Sequence, residues 1–75
     1  MNIYKITAIS SCVRYDSYDS HVVIADTEEQ VLQLAKEKAA DEGEEAWVKD
    51  NIKKYGKCSI EYTQPLILLS SFKAG

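Results

Sequence analysis

Residues 2–10 alternate in character, and alternation of period two predicts a β-strand. Ile3, Lys5, Thr7 and Ile9 fall on one face, and Tyr4, Ile6, Ala8 and Ser10 on the other. The second set is the more apolar and is assigned to the core. Residues 11–20 lack this pattern and read as a long hairpin loop. Val22-Val23-Ile24-Ala25 is a β-branched run that predicts a second strand.

The period then changes to that of a helix. Asp26 is placed to cap the first-turn amides, and Glu29 three residues later completes a capping-box pattern. Val31, Leu34, Ala35 and Lys38 form one stripe, with Leu32 and Ala39 beside it, so the helix is expected to reach Ala40 or Asp41. Gly43 marks a break or kink. Val48, Ile52 and Tyr55 lie at i, i+4 and i+7, which predicts a second helix from about Glu44 to Tyr55. Gly56 would close it with a positive φ. The alternative is one long helix running through Gly43.

Lys57 to Thr63 alternates again, with Cys58, Ile60 and Tyr62 on one face. Pro65 bars a continuous central strand at that point. Leu66 to Phe72 is a final strand, apolar on both faces near its start. The predicted order is β-β-α-(α)-β-β. The fold class is α+β, a mainly antiparallel four-stranded sheet with helices on one face. Apolar residues on both faces of the last strand raise homodimerisation through a sheet face or edge, against a central strand covered on one side.

Composition adds bounds. With 75 residues the chain is one small domain, residues 1–75. Nine basic and twelve acidic side chains give a net charge of −3, which argues against direct nucleic-acid binding. No secretory leader is visible, and the longest apolar run, Leu66–Leu69, is too short for a membrane. A cytoplasmic home is expected, with Cys12 and Cys58 as free, half-buried thiols. Neither a metal nor a cofactor is expected. Two cysteines and one histidine lack ligand spacing, and Gly43, Gly56 and Gly75 form no phosphate loop.

Two segments are candidate surfaces. The first is Arg14 followed by Tyr15-Asp16-Ser17-Tyr18-Asp19-Ser20, a tandem Tyr-Asp-Ser repeat. Asp and Ser of this kind shape turns by bonding to nearby amides. The sharper reading is a protein-recognition patch, with Arg14, Tyr15, Asp16, Tyr18 and Asp19 as contacts, because tyrosine offers contact area at low entropic cost. The second segment is Asp41-Glu42-Gly43-Glu44-Glu45. It reads as a solvated junction or as an acidic patch made by Asp41, Glu42, Glu44 and Glu45, steered toward a basic groove. Asp16 and Asp19 supply too few oxygens for calcium. His21 reads as a strand-end residue and Trp47 as a core plug. No acid, base and nucleophile constellation is legible, so the chain is not expected to be an enzyme.

The Tyr-Asp-Ser segment followed by Val22-Val23 and Ala25, together with the terminal Leu68-Leu69-Ser70-Ser71-Phe72-Lys73-Ala74-Gly75, resembles a group of small uncharacterised phage and prophage proteins. In that group a Tyr-Asp-x-Tyr-Asp-Ser loop leads to a valine strand, and the tail reads Ser-Phe-x-Ala-Gly. The resemblance covers the two ends, about half of the chain. The middle here is compact and acidic, and Lys73 stands where the group often has Asn. The resemblance implies a phage context and no catalytic residues. It implies an accessory protein that binds a host protein in the host cytoplasm, such as an inhibitor of a bacterial immune system of the anti-CRISPR kind. A phage structural or assembly module acting through self-association is the alternative.

Overall fold

The computed structural model describes residues 1–73. The last two residues of the tail motif lie outside them. The fold is α+β: strands β1 (Asn2–Thr7), β2 (Ser17–Ala25), β3 (Ile52–Lys57) and β4 (Leu66–Lys73), with one helix, α1 (Glu28–Glu37). All pairings are antiparallel and the sheet order is β3-β1-β2-β4. Helix α1 lies against β1 and β2 on one face.

The predicted core face of the first strand is the observed one as far as Ala8; the strand ends at Thr7 rather than at residue 10, and Ser10 is exposed in a 3-10 turn. Tyr4, Ile6 and Ala8 are buried together with Val23, Ala25, Val31, Ala35, Ala46 and Trp47. Ile24 is also buried but stands outside this cluster, because strand alternation turns it to the opposite face. Trp47 is a core plug, 1% exposed.

Four further expectations are corrected. The helix cap is Thr27, one residue later than Asp26. Thr27 Oγ1 accepts from the Gln30 amide, and Gln30 Oε1 accepts from the amides of Thr27 and Asp26, so Gln30 takes the place expected for Glu29. The helix also stops earlier, at Glu37.

The second helix does not form. Residues 44–51 make two short 3-10 turns, Glu44–Ala46 and Lys49–Asn51, and Ile52–Lys57 is strand β3. The reason is tertiary: β3 pairs with the side of β1 that β2 leaves free. Without it, β1 would carry a second row of unpaired amides and carbonyls beside the core. Gly56 does adopt a positive φ, 137°, but at a bulge where Tyr55 is the extra residue between the Ile3–Gly56 and Tyr4–Lys54 pairs.

The alternating stretch after Lys57 is not a strand either. Cys58 makes one last backbone bond to Met1, and Ile60 is 62% exposed. These residues carry the chain from the β3 edge, past β1 and β2, to the β4 edge. That is a span of about 14 Å at strand spacing, which requires a loop. Cys12 and Cys58 are free and half-buried.

Candidate protein-interaction surface

The Tyr-Asp-Ser repeat is split between a turn and a strand. Asp16 adopts φ 56°, a left-handed conformation that Asp tolerates better than most residues. Ser17 is fully buried; its hydroxyl accepts from the Arg14 amide at 3.3 Å and donates to the Tyr15 carbonyl at 3.4 Å. The turn-forming reading of this segment therefore holds for Ser17. β2 begins there, so Tyr18, Asp19 and Ser20 belong to the strand rather than to a loop.

The structure brings the two candidate segments together. The Asp41 amide donates to the Asp16 carbonyl at 3.2 Å. The Glu42 carboxylate reaches the same stretch, because its Oε1 accepts from the Tyr18 amide at 3.0 Å and the Ala40 amide at 3.1 Å. Its Oε2 accepts from Trp47 Nε1 at 3.0 Å. At 5% exposure Glu42 is thus an internal tie rather than part of a surface patch, which reduces the acidic run to Asp41, Glu44 and Glu45 outside.

The rim that results has Tyr15 at its apex, 68% exposed, with Arg14 and Asp16 exposed beside it. Lys73 Nζ lies 5.7 Å from the Tyr15 ring centroid. Tyr18 is half-buried. It meets Phe72 edge-on at 4.7 Å and His21 at 5.0 Å, with Lys38 Nζ 5.3 Å from its centroid. Asp19 is half-buried and accepts from Ser20 Oγ at 3.3 Å.

His21 is the polar residue that sequence reasoning misplaced. It lies inside β2, fully buried, stacked on Trp47 at 4.8 Å and 27°. Its Nδ1 pairs with Ser70 Oγ of β4 at 2.8 Å, and its Nε2 has no hydrogen-bond partner among the described residues. Burial pushes the imidazole pKa below 6.5, and the charge of Lys38 pushes the same way. The carboxylates of Glu42 and Asp19 partly oppose them. The pair is a latch that ties β4 to the core. Serine and histidine are 49 positions apart, so only the strand pairing reveals it.

The face of the sheet away from α1 is open around Lys5 and Val22, although Ile24 on the same face is buried. Lys5, Ser20, Val22, Tyr55, Leu69, Ser70 and Ser71 line a shallow cavity of about 450 Å³. Lys5 stands directly opposite Lys53 across the β1–β3 pair. Leu69 is 65% and Tyr55 is 59% exposed. The last strand was expected either to be covered through a homodimer or to be a central strand covered on one side; it is not central, because β4 is an edge strand whose residues from Leu68 onward are exposed.

No helix of the described residues is long and apolar enough to cross a membrane. No group of three or more His, Cys, Asp or Glu among them is placed to hold a metal ion. No family model, curated protein or solved structure matches the chain.

Proposed function

We propose that this chain is a small phage-encoded accessory protein that binds a host protein, as an inhibitor of a bacterial immune system such as an anti-CRISPR. The phage and host parts rest on the resemblance of the two chain ends. The binding part rests on one observation, the Tyr15 apex. A ring 68% exposed sits on a turn tied from within by Ser17 and from outside by Asp41. Such an aromatic loses little freedom on binding, which is the physical basis of tyrosine-rich recognition surfaces. Arg14, Asp16 and Asp41 supply a polar rim around it, and Glu44 and Glu45 extend the acidic side.

The test is a pull-down of the tagged chain from host lysate at low and high salt, read by mass spectrometry, with Tyr15→Ala alongside. One host protein retained by the parent and lost by Tyr15→Ala supports the reading, and its release by salt assigns a share to Asp41, Glu44 and Glu45. Equal retention by the variant sinks it.

The alternative, a phage structural or assembly module acting through self-association, is favoured by the exposure of Leu69 and its neighbours on β4.

A further inference from the structure

We infer that β4 is a self-pairing edge, at which two copies of this chain join their sheets antiparallel about a two-fold axis. An edge strand presents unpaired backbone donors and acceptors, so its complement is another extended strand. The sheet has two edges, and they differ. The β3 edge carries Lys53, Lys54 and Lys57 within six residues and a bulge at Tyr55. Edge lysines are a device that blocks strand addition, and they set the β3 edge apart, since β4 carries a bulge of its own.

The β4 edge is eight residues long and uncharged from Leu66 to Phe72. Leu68, Leu69 and Phe72 are 47%, 65% and 46% exposed. Leu68 is the extra residue of a bulge against β2, since Val22 pairs with Leu69 and Val23 with Ile67. The second irregularity, between Tyr18 and Ser20, leaves its extra residue on β2, so β4 runs on regularly from Leu69 to Lys73.

The occupant that fits is a second copy. A two-fold axis makes one strand complementary to itself, since each copy offers the patch the other needs. The run brings no like charges together at its centre, whereas Lys5 and Lys53 would confront their equivalents if two open sheet faces met. The latch between His21 and Ser70 holds β4 on the core and so presents its outer edge in a fixed line. An interface of one strand pair is small, so a micromolar dissociation constant is expected. The inference is independent of the Tyr15 rim and holds under either functional reading.

Sedimentation equilibrium of the full chain, from low to high micromolar, gives the oligomeric state. Amide hydrogen exchange at both ends of that range locates the interface. The expected result is a monomer–dimer equilibrium in which β4 amides gain protection with concentration. Leu69→Lys should weaken the dimer at least about tenfold with an unchanged circular dichroism spectrum. Tyr55→Ala, on the open face, should leave it unchanged. A monomer throughout overturns the inference. So does a dimer without added β4 protection, or one weakened equally by Tyr55→Ala, which would place the contact on the sheet face.

Discussion

Trp47 Nε1 donates to Glu42 Oε2 at 3.0 Å inside the protein, and the other oxygen of the same carboxylate receives the amides of Tyr18 and Ala40. One side chain thus joins the core plug, the start of β2 and the segment after α1. Removing it strands three donors, and a buried donor without a partner costs about 1–3 kcal/mol. Glu42→Ala is expected to lower stability by about 3 kcal/mol, since partial access of water offsets part of that sum. Glu45→Ala, an exposed neighbour, should change it by less than about 0.5 kcal/mol. Urea unfolding of both variants checks this, and similar small losses would show that Glu42 is an ordinary surface residue.

His21 predicts a specific acid sensitivity. Its imidazole pKa is lowered in the fold, chiefly by burial, while in the unfolded chain it returns to about 6.5. Between the folded-state value and 6.5 the unfolded chain binds more protons, so stability rises with pH there. The contribution is complete above 6.5 and is lost as pH falls through the folded-state value. Denaturant midpoints measured between about pH 5 and 7.5 should drop on the acid side, and His21→Phe should flatten that window. An NMR titration of the ring giving a value at or above 6.5 would refute the account.

Lys5 and Lys53 face each other across the β1–β3 pair, and neither takes part in an ion pair among the described residues. Like charges directly opposite are destabilising and opposite charges contribute roughly 0.2–1 kcal/mol. Both side chains are exposed, so solvent screening keeps the effect near the lower end. Lys53→Glu is therefore expected to raise the melting temperature slightly at low salt and to lose that gain at high salt. A fall in stability at low salt would mean that Lys53 has a structural role in β3 that outweighs the repulsion.

The parts of the fold that sequence made legible are those set by local pattern. Tyr4, Ile6 and Ala8 alternate, Val22 to Ile24 is β-branched, and Val31 and Ala35 share a helical stripe; each lies where its period places it. The parts that were not legible are set by distant partners. Val48, Ile52 and Tyr55 form a helical stripe, yet the free side of β1 draws Ile52 to Lys57 into the sheet. Glu42 looks like the other carboxylates of its run until the Tyr18 amide and Trp47 indole are seen to converge on it. Of the candidate contacts, Arg14, Tyr15, Asp16, Asp41, Glu44 and Glu45 are exposed, Tyr18 and Asp19 are half-buried, and Glu42 is inside. The repeat itself does not distinguish Tyr15 from Tyr18, because Asp-Ser follows both.

That difference gives the last prediction. Tyr18 packs edge-on against Phe72 at 4.7 Å and lies 5.0 Å from His21, beneath Lys38. Tyr15 is 68% exposed, and its ring contact is with Lys73. Tyr18→Ala removes a half-buried ring and an aromatic pair, for an expected loss of about 2–3 kcal/mol. Tyr15→Ala removes an exposed ring, for less than about 0.5 kcal/mol. The two variants thus separate folding from recognition. Thermal unfolding should shift with Tyr18→Ala and stay level with Tyr15→Ala, whereas retention of a host partner should be lost with Tyr15→Ala. If Tyr15→Ala lowered the melting temperature as much as Tyr18→Ala, the apex would belong to the structure, and its loss of partner would no longer identify a contact.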